Sequence, residues 1–584
     1  MSNIFNSVKG LKPKRNAFSS FSYRNDYTCN LGQLVPIYIQ HVVPNTSVAL
    51  SSHALVRLQA LISPVMDNID YYLHFWQLPY RVFESNFTKF VGGELSDEDY
   101  NPPYITGKSV YEALQLISGI PEDTITGNGS LLDMLGWDYS YFSKKSTTKT
   151  NIRELQAYFL ILKTWYINEN IPPYSDFLDD VDDLLEAEGD ATTEVVTLLV
   201  NLYTSMGLFF NHGWQKDYFT SALPNVQAGE PVSLPIAGTA PVTIPAQTNV
   251  TLDLTTSNQI IPSSGSFDPD QQYGLLGLTT NNTGAATLGI DTEDGAVTVD
   301  RLEHVGLAAQ NGSADLSEAT AITINELRVA NALQVFKERV MRFGHRVQDY
   351  YKGFFNVTPE DLRLQLPKWL GGGRVPVSIA DVEQTSATSS TSPQANLAGK
   401  GIAVAGGFAG FKTFCSEESI IIGVAWLMPK ITYSNSLSRF KMKLNDRFDY
   451  FNPSFEHLGE QEIKNIEVYA GGNENDFGYT PRFAEYRFHQ NEQHGNFKGN
   501  LKHWTLGRIF NSQPALNASF IYMQPLALQR IFAVVEDSDH NPVPNVLASI
   551  KHSVRIVQPV SKWGTPMLMV YPISKQVAQY ELNV

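Results

Sequence analysis

Near the start of the chain Lys9, Lys12, Lys14 and Arg15 stand close together, with Phe18, Phe21 and Tyr23 following. Cationic side chains neutralise phosphate and aromatic rings stack on unpaired bases, so this arm has the chemistry to contact single-stranded nucleic acid. A solvated or subunit-clasping tail is the commoner use of such a segment, and both readings stay open. A second cluster is acidic: Asp179, Asp180, Asp182, Asp183, Glu186 and Glu188. Carboxylates at this density can hold Ca²⁺, but the alternating ligands, central glycine and closing glutamate of a calcium loop are missing. A solvated acidic face is the expectation.

Other chemistry lacks its residues. Among twelve histidines, His489 and His494 come nearest to a pair, and their five-residue spacing separates the rings on a helix; there is no HExxH. Ala398-Gly399-Lys400-Gly401 lacks both the spacing of a phosphate-binding loop and the hydroxyl residue after its lysine. Cys29 and Cys415 have no C-x-x-C partner or Cys/His cluster and read as small buried apolar residues. There is no G-x-S-x-G elbow, kinase signature or cysteine-protease motif. No catalytic residue, cofactor or metal is therefore expected. Paired glycosidase carboxylates leave no local pattern, so a carbohydrate-cleaving enzyme stays open.

Composition narrows the class. The 584 residues are 43% hydrophobic and 11% aromatic but only 17% charged, against about 25% for ordinary soluble chains. Interfaces lose Lys, Glu and Asp and gain Tyr and Phe; 27 Tyr and 32 Phe fit a subunit that buries surface against partners. The net charge of −16 repels polyphosphate, which argues against a duplex-DNA reader with a basic face and leaves only local nucleic-acid contact. The first residues have no apolar signal core, and no apolar run reaches the ~18 residues of a membrane span, so no membrane insertion and manufacture in cytoplasm are expected.

The elements that must position these residues are mostly strands. From Tyr27 to Trp76, short alternating segments such as Leu34-Val35-Pro36-Ile37-Tyr38-Ile39 are divided by Pro44-Asn45 and Ser51-Ser52. Tyr71-Tyr72-Leu73-His74-Phe75-Trp76 and Ser419 to Pro429 read as strands buried on both faces. Residues 151–170 read as a helix ended by Pro172-Pro173. Residues 228–320 turn to Thr, Gly, Asn, Ala and Ser with short apolar alternation, a β-rich surface excursion. A helix over 324–352 opens on the capping box Thr323-Ile324-Asn325-Glu326; Val329, Leu333, Phe336, Val340, Phe343, Val347 and Tyr350 form a seam expected to pack on the protein's own sheet, a coiled-coil dimer helix being the alternative.

Five blocks in order along the chain resemble the microvirus major capsid family, especially its gokushovirus-like and gut-bacteria branches. They are YYLHFWQLPYRVFESNFTKFVGG (71–93), DYFTSALP (217–224), and INELRVANALQ joined to GFFNVTPEDLRLQLPKWLGGG (324–373), with VEQTS after it. The fourth runs from Glu418 through Pro429 to DYFNPSFEHLGEQ (449–461), and the fifth is FGYTPRFAEYR (477–487). The resemblance implies a mainly β fold: an eight-stranded antiparallel jelly roll with long loop insertions and several helices. Residues 1–24, polar and locally basic, read as an extended arm by their own composition, and the resemblance implies 25–584 as one capsid domain carrying the 228–320 excursion. It further implies a T=1 icosahedral shell of identical copies around circular single-stranded DNA. An internal scaffolding protein, minor virion proteins and a host surface receptor, met through the excursion, would be partners. The alternative is a carbohydrate-binding or carbohydrate-cleaving β-sandwich.

Overall fold

A computed structural model describes residues 14–562, apart from 85, 92–94, 97–98, 118, 344–364, 384–396, 445, 525–526 and 537–542, and apart from 230–323 outside four short strands. The chain divides into two compact units, one of residues 1–230 with 336–584 and one of residues 231–335.

The first unit is built on strands whose side chains alternate. In β4 (Thr46–Leu58) every second residue from Thr46 is buried, while Ser47, Ala49, Ser51, His53, Leu55 and Arg57 face outward. Period-two burial of this kind dictates a strand with one face on a core. The same holds for β11 (Val546–Gln558), which lies beside β4. On the other edge of β11 run β1 (Asn16–Phe18) and β2 (Tyr23–Cys29). Beyond β4 comes β7 (Leu397–Cys415), completing the order β2-β11-β4-β7.

A second sheet runs β6-β5-β8-β3, from β6 (Lys368–Glu383), β5 (Ile69–Pro79), β8 (Ser419–Pro429) and β3 (Val35–Val42). The first half of β6 pairs with β5 and its last residues, Ser378 to Glu383, pair with β7, so one strand passes from sheet to sheet. All pairings are antiparallel, and the two four-stranded sets interleave along the sequence. This is the expected eight-stranded jelly roll.

The strands expected to be buried on both faces are so: every residue of β8 is buried, as are nine of the eleven in β5. One face looks into the barrel, where Tyr71 meets Tyr27 across a 3.0 Å hydroxyl contact and Phe75 packs 5.1 Å from Phe411. The other is covered by the inserted helix α1 (Arg153–Ile161) and the segment after it, with α2 (Phe177–Glu186) packed on α1 and α3 (Thr192–Met206) on α2. Trp165 stacks on Trp76 at 4.9 Å, and Tyr166 accepts from the Trp76 indole at 3.2 Å. The helix expected over 151–170 is α1, continued by a π-helical turn, Leu162–Tyr166. The acidic cluster lies on and just beyond α2, whose Phe177, Val181 and Leu184 are buried; Asp180 accepts from Tyr174 and Asn201.

Most of the 228–320 excursion lies outside the described residues. Within the second unit Leu276–Thr280 pairs with Ala286–Ile290, and Val242–Thr243 with Ser313–Ala314. Helix α4 (Ile324–Phe343) forms as expected, residues 344–352 of that expectation lying outside the described residues. In its last part Met341 is buried and Phe336 is 42% exposed, a correction to the seam read from the sequence. The helix rotates Met341, one position past Val340, into the packed face.

Two features of this architecture are open to measurement. A Cβ on Gly373 would sit 2.1 Å from the Phe408 carbonyl oxygen, and Gly371, at a register shift between β6 and β5, holds a φ of +145°, so this part of β6 tolerates no side chain. Gly373→Ala is expected to lower unfolding free energy by about 3 kcal/mol, read by urea titration. Burial lowers His74, His212 and His552 each from 6.5 to about 4. Since the folded values lie below the unfolded one, the unfolded chain binds protons first as pH falls. Stability is then complete above about pH 6.5 and declines toward pH 4, by up to about 1.4 kcal/mol per pH unit for each ring. Thermal midpoints across that range check it, and His552→Gln should flatten the decline by one ring's share.

Candidate assembly surfaces

A long stretch with few extended elements lies between β8 and β11. A short hairpin, β9 (Glu460–Lys464) with β10 (Asp476–Pro481), pairs Gln461 with Thr480. That register delivers the Gln461 side chain to the turn after β10. Its amide donates to Glu485 at 2.6 Å, and its carbonyl oxygen accepts from the Phe483 backbone at 2.9 Å. Phe483 sits at φ 61°, a left-handed conformation that a bulky residue holds only when its surroundings impose it.

At the centre is Lys443, with 3% side-chain exposure. Its ammonium donates to Glu485 and to the Asp449 carbonyl oxygen, both at 2.5 Å, and lies 4.4 Å from the Tyr486 ring centre and 5.2 Å from that of Phe440. A buried cation so enclosed is satisfied by charge, carbonyl and π-face together. Burial alone would push the Glu485 carboxyl up, but hydrogen bonds from Lys443 and Gln461 outweigh it and hold it below the usual carboxylate range. The fourth and fifth sequence blocks, 449–461 and 477–487, thus meet around one ion pair. Gln461 and Glu485 stand inside those blocks; Lys443 was not singled out by any motif, because its role depends on partners distant in sequence.

Around this knot stands an aromatic surface. Phe440, Phe448, Tyr450, Phe451, Tyr486 and Phe488 are each between 43% and 50% exposed, and Leu444 is 74% exposed. Phe440 and Tyr486 meet edge to face at 5.1 Å, and Phe451 lies 5.3 Å from Phe483. Exposed apolar surface of this extent marks an interaction site, and rings already held in place lose little entropy when a partner covers them.

The DYFTSALP block is structural. Asp217 accepts from the Phe219 and Thr220 amides and the Thr220 hydroxyl, while its other oxygen takes the Tyr433 hydroxyl at 2.7 Å. Arg508, held below its usual range by burial, donates to the Phe520 carbonyl and covers that ring at 4.1 Å.

Of the four cations singled out in the arm, Lys9 and Lys12 lie outside the described residues. Lys14 is exposed. Arg15 is tied down: its guanidinium donates to Ser47 at 2.5 Å and to the Val557 carbonyl at 3.2 Å, 5.6 Å from the centre of Phe414. Cys29 and Cys415 are buried as expected. Among the described residues no helix is long and apolar enough to cross a membrane.

Removing one partner of a buried ion pair strands the other charge. Lys443→Met is expected to cost about 3–5 kcal/mol of stability in denaturant titrations, and Lys443→Met with Glu485→Gln to recover part of it.

A family model described as Capsid protein (F protein) matches residues 6–568. Capsid protein VP1 of Bdellovibrio phage phiMH2K is 29% identical over 579 residues, covering 96% of this chain and 97% of that protein. Capsid protein VP1 of Chlamydia phage 1 is 28% identical over 616 residues, covering 97% and 98%, and that of Spiroplasma virus 4 is 26% identical over 543 residues, covering 88% of each. With a match running nearly end to end over a jelly roll, this chain belongs to the phage F capsid protein family, the structural subunits of phage virions.

Proposed function

We propose that the chain forms a T=1 icosahedral shell around circular single-stranded DNA, by distributed contacts between copies and with no catalytic step. The rigid, exposed aromatic surface around Lys443 carries this reading. Closed symmetry repeats each modest contact many times, so individual contacts stay weak while the particle is stable. Assembly takes place in the cytoplasm of a bacterial host, with an internal scaffolding protein and minor virion proteins. Residues 1–24 act as an arm, and the 228–320 excursion is an outward projection that meets a host receptor. The composition supports burial between subunits, and the ordered family blocks support the named partners. Nothing in the sequence or fold favours the carbohydrate-active sandwich over it.

Electron microscopy and sedimentation of the protein purified with its scaffold are expected to show large, regular particles. A uniformly monomeric, well-folded protein would defeat the reading. Leu444→Ser with Phe488→Ser should leave the thermal midpoint within error while weakening assembly by about 2 kcal/mol per contact, roughly thirtyfold. Replacing Lys9, Lys12, Lys14 and Arg15 by Gln should lower the genome content of particles while shells still form; unchanged packaging removes the arm from that role.

A further inference from the structure

The strands β1, β2, β4, β7 and β11 carry charge very unevenly. They contain six Lys and Arg residues, Arg24, Arg57, Lys400, Lys412, Lys551 and Arg555, and one carboxylate, Asp26. The whole chain has 59 acidic residues against 43 basic ones. Strand alternation decides where these cations go. Arg57, Lys400, Lys551 and Arg555 each stand at an exposed position between buried neighbours, while pairing sets Arg24 opposite Lys551 and Lys412 opposite outward-facing Ala49, so all six share the outward face of the sheet.

Register then lines them up. Arg24 lies directly opposite Lys551, and Lys551 opposite His53. Two residues along, Ser553 faces Ser51; two further, Arg555 and Lys412 flank Ala49 from either side. The next pair is Val557 with Ser47, where Arg15 is bound and Phe414 stands 53% exposed. Cations placed directly opposite one another across strands destabilise the sheet. Among the described residues Asp26 pairs with Arg24, at 2.8 Å. Toward Leu547 the face ends in a cleft of about 690 Å³ bordered by Asp133. Arg555 lies eight residues farther along β11, about 27 Å away at ~3.4 Å per residue.

We infer that this outward face, from Arg24 and Lys551 to Arg15 and Phe414, is a track on which the chain holds single-stranded nucleic acid. The inference rests on the shell reading above and locates its genome contact. The repelling cations call for a polyanion, since phosphates neutralise them and release counterions. Ser47, Ala49, Ser51 and Ser553 keep the surface between the charges low, so an extended strand can lie across it. Phe414 offers an exposed ring for base stacking at the end where the arm is tied. A broad sheet face suits an unpaired strand better than a duplex groove. The track also accounts for Arg15: its side chain fastens the arm at the Phe414 end of this row of charge.

The test is Lys412→Gln with Lys551→Gln and Arg555→Gln in the full chain, with binding of a fluorescent oligothymidylate followed by anisotropy across salt. The log–log salt slope should fall by about two, at ~0.7 per lost contact on a single strand, affinity should drop at least tenfold, and particles should contain less nucleic acid. Lys412→Arg with Lys551→Arg and Arg555→Lys should retain binding. Unchanged affinity and slope overturn the inference, as does tighter binding of a duplex than of the oligothymidylate. Loss of particles with oligonucleotide binding intact also overturns it, since the face would then join copies of the chain. Wild-type protein that never forms particles but binds the strand through these residues supports the track and defeats the shell reading; particles of both proteins with equal genome content and affinity do the reverse.

Discussion

Strands β5 and β8 have almost no side that can face water, and the rest of the unit is arranged to cover them. Their inner faces are met by the β2-β11-β4-β7 sheet, through Tyr27, Phe411 and His552. Their outer faces would be a large exposed apolar surface if the chain were only eight strands. The helical insertion between β5 and β6 solves this, with Trp165, Tyr166 and His212 closing over Trp76, His74 and Trp426. A jelly roll with one sheet backed by helices leaves the opposite sheet as the free one. It is on that free sheet that the alternation is clean and the cations lie.

The loops after β8 illustrate a different constraint. A lysine and a glutamate sequestered together are costly to desolvate, and a well-packed apolar pair would often serve stability as well. What the ion pair adds is geometry: Lys443 accepts enclosure only where Glu485, the Asp449 carbonyl and two ring faces converge. The aromatic residues over that point are held as a shaped surface, which suits a subunit whose neighbours must find the same contour in every copy.

Charge is distributed by the same logic. A chain that is acidic overall can still present a locally positive face, because the field at one face depends on the charges gathered there more than on the net total. The overall −16 argued against a duplex-DNA reader with a basic face and left room for local cationic surface, which the sheet register now places. Lys412 and Arg555 are far apart in sequence and unremarkable in local context; only pairing with β4 on both edges places them either side of Ala49.

Local pattern and composition determined much. Period-two alternation announced the strands, the unbroken apolar runs at 71–76 and 419–429 announced double burial, and the helix at 153–166 followed from its spacing and the prolines beyond it. The ordered blocks pointed to a phage capsid subunit, which the family match bears out. What the sequence by itself left undetermined is long-range. The seam on Ile324–Phe343 was rotated from its buried face because periodicity measures amphipathicity without saying which neighbour arrives. The Lys443–Glu485 pair and the cationic rows were invisible for the same reason: each depends on residues tens to hundreds of positions apart, and their proximity is set by strand register, a property of the folded chain that no local window contains.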